Sequence, residues 1–272
     1  MSEDLLGRFE VCRIPLRQLM TIDGLDAVTP GHRTYGLVEF DVTTANTAIA
    51  GLRRQGHRLS LTSHVISCIG WALAQNPALN SVRAGRSVYR FEDVDVNLSL
   101  ELQTPRGRFP HQLTIRRAQD KSAETVFAEI DAARERYTRG RGAGVEDRRL
   151  ERAVGWLARL PRPVRLSVLR VAAGSPRRVK RWSGTTFVTS VTKFVESGGF
   201  IIPFAAGPTA VSFALGGVGQ RQVCENGVHQ THDYLSVTVI VNHDLVDGGP
   251  AARFVRQLQT RVEAGGGLLD ED

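Results

Sequence analysis

The chain has 272 residues, 42% hydrophobic and 23% charged, the make-up of a globular protein with enough apolar surface for a large core. Its formal charge of +7 comes mainly from arginine and suits phosphate-bearing partners: nucleic acid, membrane headgroups or a phosphorylated cofactor such as coenzyme A. Cys12, Cys68 and Cys224 are too few and too scattered for a disulfide framework, and no stretch reaches the roughly 20 apolar residues that span a bilayer. The N-terminus has neither a basic start nor an apolar run, so a cytoplasmic protein without a membrane span is expected.

In chain order, "YGLVEFDVT" (35–43) alternates as a strand does, and "LTSHVISCIGWALAQNP" (61–77) places Val65, Ile66, Ile69, Ala72 and Leu73 at helical spacing. That helix is mostly apolar, which predicts burial, and Pro77 should end it at Asn76. Strands follow at 93–102 and 113–119, then an amphipathic helix over 122–140 with Ser122 as its N-cap. Three more strands are predicted around 186–191, 209–218 and 234–242, and a last helix runs over 250–264 with Pro250 at its start. Consecutive strands mixed with a few helices indicate an α+β fold.

Residues 139–182 stand apart as an arginine-rich helical insertion within one domain spanning 1–272. Trp156, Leu157, Leu160, Leu166 and Leu169 are expected to pack on the body while the arginines are solvated. The functional alternatives are a wall for an anionic ligand, a docking helix pair or a membrane-surface element. No helix-turn-helix, zinc-finger or RNA-recognition signature accompanies the charge, so nucleic acid is not an expected partner.

The chemistry-bearing stretch is "VNHDLVDGGPAARF" (241–254). His243 follows a strand after one residue, where a sheet gives way to a loop. Gly248 and Gly249 allow a tight or left-handed turn beside Asp247, and Pro250 restarts the chain as a helix. Histidine is matched to taking a proton near neutral pH, and a nearby carboxylate can orient its ring or hold the loop through an arginine. H-x-x-x-D is also common in polar loops, so spacing alone leaves both readings open. His64 lies in the apolar helix and reads as a core or interface group. His229 and His232 flank the "NG" turn at 226–227 without forming a metal set, and His32, His57 and His111 read as surface loops.

"NHDLVDGGPAARF" resembles the H-x-x-x-D-G signature of the chloramphenicol acetyltransferase-like superfamily, most closely the catalytic domain of 2-oxoacid dehydrogenase dihydrolipoamide acyltransferases. Other stretches are similar in order: "RTYGLVEFDVT", "LTSHVISCIGWALAQNPALNSV", "DVDVNLSLELQTPRG" with "AQDKSAETVFAEIDAARER", "GTTFVTSVTKF" and "GPTAVSFALGGVGQ". The resemblance runs from about residue 10 to residue 264. It implies a two-layer sandwich with a mixed sheet and helices on one side, assembled as a trimer or an assembly of trimers. It also implies an acyltransferase that moves an acyl group between a thioester, acyl-CoA above all, and an acceptor.

By the same resemblance His243 is the general base for the attacking thiol, and Ser190 donates its hydroxyl to the oxyanion, a contribution of roughly 3–4 kcal/mol in related catalysis. Thr189 takes that place if the register slips by one. Asp247 matches an aspartate that pairs with an arginine of the N-terminal segment, here Arg13 or Arg17. The histidine and serine come from neighbouring subunits, and coenzyme A is a substrate; no metal or permanently bound cofactor is implied. Val191 stands where the family usually has asparagine, and "RGRFPHQLTI" where it has a more apolar strand. The insertion is longer than the family's connection, and the chain has no lipoyl attachment site, subunit-binding domain or Ala/Pro-rich linker. Two alternatives remain: a non-catalytic trimeric scaffold or regulatory protein, and a condensation-type enzyme forming amides or esters.

Overall fold

The computed structural model describes residues 14–28, 31–104, 107–138, 152–195, 197–204, 207–225 and 227–269. The strands are β1 (Arg33–Asp41), β2 (Ser81–Ala84), β3 (Ser87–Arg90), β4 (Val96–Thr104), β5 (Gly107–Ile115), β6 (Thr186–Ser190), β7 (Val211–Glu225) and β8 (Val228–Asn242). The helices are α1 (Leu16–Ala27), α2 (Thr43–Arg54), α3 (Leu61–Ala74), α4 (Ala123–Thr138), α5 (152–157), α6 (Arg162–Ala173), α7 (Pro176–Ser183) and α8 (Gly248–Glu263). Six strands form one sheet in the order β1-β8-β7-β6-β4-β5, and β2 and β3 form a separate hairpin. β6 is parallel to both of its neighbours and the other pairings are antiparallel, so the sheet is mixed.

Alternation along the strands decides which face meets the helices. Leu235, Val237, Val239 and Val241 of β8 join Phe213 and Leu215 of β7 in the core, against Phe254, Leu258 and Val262 of α8. Burial of each such side chain contributes about 1.5–3 kcal/mol. The predicted buried helix is α3. Ser60 and Ser63 close a capping box at its start, and Val65, Ile66, Ile69, Ala72 and Leu73 are buried. It stops at Ala74 rather than Asn76, because Asn76 turns its side chain to the Ala72 carbonyl (2.8 Å) and to Gln257 of α8 (2.7 Å). Ser122 caps α4 as expected, accepting from the Thr125 amide at 3.2 Å.

Three strands are longer than their apolar patterns predict. β7 and β8 run out to a hairpin where Glu225 pairs with Val228 and Gly227 has φ 79°, the turn expected at 226–227. Their outer halves are solvated and carry no apolar alternation to mark them. β5 begins at Gly107, so the departure "RGRFPHQLTI" is largely strand, with Pro110 opposite Glu101. Proline is tolerated there because β5 is the sheet's edge.

The other face of the sheet carries Ser212, Ser236, Thr238 and Ile240. Over it lie the described parts of the connection from β6 to β7, residues 191–195, 197–204 and 207–210. Gly199 donates to Ser236 Oγ (3.2 Å) and accepts from the Gly217 amide (3.0 Å), while Arg33 of β1 donates to the carbonyls of Thr209 (2.9 Å) and Gly207. β7 bulges between Leu215 and Val218, and a Cβ on Gly216 would lie 2.1 Å from the Gly199 oxygen, so this crossing needs glycine.

Within the insertion, residues 139–151 lie outside the described part. Its later helices are tied down by their basic residues. Arg165 reaches the buried Asp23 of α1 at 2.6 Å, and Arg162 reaches Asp26 at 2.7 Å. At its other end Arg116 pairs with the buried Asp95 (2.9 Å) and donates to the Lys180 carbonyl of α7 (2.7 Å). Trp156 does not pack as expected: it is 63% exposed, while Leu157, Leu160, Leu166 and Leu169 are half-buried. Charge pairing with α1 and the partial burial of these leucines together hold the excursion.

Candidate active site

β8 delivers His243 to one end of the sheet. Its amide donates to the His32 carbonyl (2.8 Å), continuing the β1–β8 pairing in which Arg33 faces Asn242. Asn242 is buried and its side-chain oxygen accepts from the Asp244 amide (3.1 Å), which bends the chain sharply out of the strand. The His243 side chain is 54% exposed, and among the described residues no hydrogen bond holds its ring. Nδ1 lies 3.9 Å from Asp247 Oδ1, beyond hydrogen-bond range.

Asp247 is the N-cap residue of α8, but its side chain makes no capping bond and is 86% exposed. Gly248 and Gly249 do not make the tight or left-handed turn that they allow. They form the first helical residues of α8, neither has a positive φ, and Pro250 is the third residue of the helix. The backbone of Asp247 starts the helix, with its carbonyl accepting from the Ala251 amide at 3.2 Å. Arg13 and the side chain of Arg17, the candidate partners of Asp247, lie outside the described residues.

A tighter histidine–carboxylate pair sits one residue from His243. His32 Nδ1 and Asp244 Oδ1 are 2.7 Å apart, and Asp244 Oδ2 accepts from Arg83 of β2 at 2.7 Å. Asp244 is 16% exposed while the His32 ring is almost fully exposed. The hydrogen bond from His32 and the charge of Arg83 hold the Asp244 carboxyl below its ordinary value of 3.8, against the opposing effect of burial. His32 is an exposed residue of a surface loop, as expected. Its role was hidden because 212 positions separate it from Asp244, and only the pairing of β1 with β8 joins them.

Ser190 ends β6 level with the middle of β8, well short of the end of the sheet that carries His243. It pairs with Leu215, which pairs with Val237, six residues before His243. At about 3.3 Å per residue this puts Ser190 and His243 roughly 20 Å apart along the strands of one chain. Ser190 shares the face of the buried Val188, and its Oγ lies 3.1 Å from Thr192 Oγ1. Thr189, its alternative in register, points to the opposite face. At position 191 the valine amide donates to Leu215 (2.9 Å), so the β6–β7 ladder continues past the serine without the family's asparagine.

His64 is buried as expected, its Nε2 3.4 Å from the Val262 carbonyl and its ring nitrogens 3.8 Å from Cys68 Sγ. Among the described residues there is no group of three or more His, Cys, Asp or Glu able to hold a metal ion, and no helix is long and apolar enough to cross a membrane.

No protein-family model and no curated protein sequence matches the chain. Solved structures do. A probable dihydrolipoamide acetyltransferase from Listeria monocytogenes 4b F2365 superposes with a TM-score of 0.70 at 17% identity, covering 94% of this chain and 95% of that one. A dihydrolipoamide acetyltransferase from Azotobacter vinelandii gives 0.66 at 16% identity over 96% and 94% of the two chains. A truncated catalytic core of the 2-oxoacid dehydrogenase multienzyme complex from Thermoplasma acidophilum gives 0.64 at 16% identity over 95% and 99%. The chain has the chloramphenicol acetyltransferase-like fold of dihydrolipoamide acyltransferase catalytic cores, a two-layer α+β sandwich with a mixed sheet.

Proposed function

We propose that the chain is an acyltransferase moving an acyl group between a thioester, acyl-CoA in the first instance, and a thiol or other acceptor. The observation that carries this is the placement of His243 at the loop end of β8 in a fold shared over nearly the whole chain with acetyltransferase cores. In the Azotobacter vinelandii enzyme a serine, a histidine and an asparagine four places beyond the histidine were investigated for their role in catalysis. Here His243 and Asp247 have that spacing, and Ser190 stands as the serine.

His243 takes the proton of the attacking thiol, and the sulfur adds to the thioester carbonyl. The Ser190 hydroxyl donates to the oxyanion so formed. The tetrahedral intermediate collapses by breaking the bond to the original thiol, which leaves with the proton held on His243. Ser190 and His243 lie too far apart within one chain to serve one carbonyl, so the reading requires the serine of a neighbouring copy, as in a trimer. The unanchored His243 ring and the exposed Phe194, Ile202 and Phe204, on the segment that follows Ser190, support a site completed by association. Asp247 acts through the loop, not as a hydrogen-bonded orienter of the ring.

The test is release of coenzyme A from acetyl-CoA with dihydrolipoamide as acceptor. His243→Ala is expected to lower kcat by about 10²–10⁴-fold and Ser190→Ala by about 10²–10³-fold. Turnover by His243→Ala within twofold of the parent removes the base assignment.

A further inference from the structure

A groove on the outer side of the helix layer, between α3 and α8, has no part in the acyl-transfer reading. It is open to solvent, has a volume of about 580 Å³ and is lined by Trp71, Arg253, Arg256, Gln257, Thr260 and Arg261. That is the volume of a small-molecule site and far more than one phosphate ion occupies. Phe254, Leu258 and Val262 face the core, so the arginines come from the flank of α8 that the sheet leaves uncovered.

The groove is built as well as charged. Arg261 lies over the Trp71 ring with its guanidinium carbon 4.5 Å from the ring centre, which aligns it at the inner end. A Cβ on Gly266 would lie 2.7 Å from Arg261 Nε, so the turn after α8 packs directly against the arginine side chain. Asn76 fixes Gln257 from the α3 side at 2.7 Å.

Arg253 and Arg256 are exposed, stand three residues apart on one helix and repel each other. Among the described residues neither forms an ion pair. Arg162 and Arg165 of the insertion, by contrast, are matched to carboxylates. Guanidinium groups converging on one cavity are best satisfied by phosphate, which accepts two hydrogen bonds from each fork.

We propose that the α3–α8 groove is a second ligand site, for a phosphorylated small molecule of nucleotide size whose phosphates are held by Arg253 and Arg256, with its body against Trp71. The pyrophosphate of a free nucleotide and that of coenzyme A share this chemistry.

Titration calorimetry of the full chain in about 50 mM salt, where phosphate contacts are least screened, tests the site with ATP, inorganic pyrophosphate, coenzyme A and adenosine. ATP and pyrophosphate are expected to bind saturably, and adenosine not to bind. Affinity should fall at least tenfold in Arg253→Gln/Arg256→Gln and severalfold in Arg256→Lys, which keeps the charge but loses the fork. Coenzyme A binding more tightly than ATP, with the same loss in the double variant, assigns the site to the coenzyme's nucleotide end; equal or tighter ATP binding assigns it to a free nucleotide. The proposal is overturned if neither ATP nor pyrophosphate binds at 1 mM, or if the folded double variant binds within twofold of the parent. Because binding alone is read, the result does not depend on whether His243 is a catalytic base.

Discussion

His64 offers a direct test of how the core is built. Burial in α3 pushes its pKa down from 6.5 to about 4, the Val262 carbonyl works against this and the Arg261 charge adds to it. The folded protein therefore holds His64 neutral at pH 7. As the pH falls below 6.5 the unfolded chain takes up the proton first, so stability is lost between 6.5 and about 4 and no further below that. The full gap corresponds to ~3 kcal/mol, of which about 2 kcal/mol is lost between pH 7 and pH 4.5.

Urea unfolding of the parent and of His64→Gln at both pH values isolates this contribution, since other titrating groups are common to both. The parent should lose about 2 kcal/mol more than the variant on acidification. Equal losses, or an NMR titration placing His64 near 6.5, would refute the assignment of a buried neutral imidazole.

The two carboxylates near His243 should behave differently. Asp244→Asn removes the charge that His32 and Arg83 share and is expected to lower acyl-transfer turnover by about tenfold, the effect of one lost charge-assisted contact. Asp247→Asn, at an exposed side chain without a hydrogen bond, should stay within about threefold by the same scale. The reverse order in a kcat comparison would restore Asp247 as the orienting group. Gly216→Ala forces the 191–210 segment off the sheet. It should cost about 1–3 kcal/mol in thermal unfolding and increase proteolytic cleavage near Ser190, and an unchanged melting curve would contradict the close crossing. Ile202→Asp/Phe204→Asp should shift a trimeric parent to monomer in sedimentation velocity and abolish turnover with it; a parent that sediments as a monomer while fully active excludes a shared site.

Much of the architecture is legible in local pattern. The apolar run of α3, the alternation of β8 and the "NG" hairpin each require one local structure whatever surrounds them, because their periodicity fits no other. Edge and outer strands are not legible in this way. β5 and the solvated halves of β7 and β8 take their conformation from hydrogen bonds to neighbours, which leave no apolar mark. The placement of His243 after β8 and of Ser190 at the end of β6 was readable from the alternation of those strands.

Composition and periodicity by themselves determine a globular α+β chain with one buried helix, a long sheet and a histidine where the last strand ends. Tertiary structure alone decided the rest, because sequence distance carries no information about pairing across a sheet. It joined His32 and Arg83 to Asp244, drew Asp247 away from the His243 ring into the start of α8, and set Ser190 six residues along the sheet from His243. It also paired two arginines of the insertion with α1 and left Arg253 and Arg256 facing an open groove, since a charge is neutralised by what packs beside it and not by what precedes it in the chain.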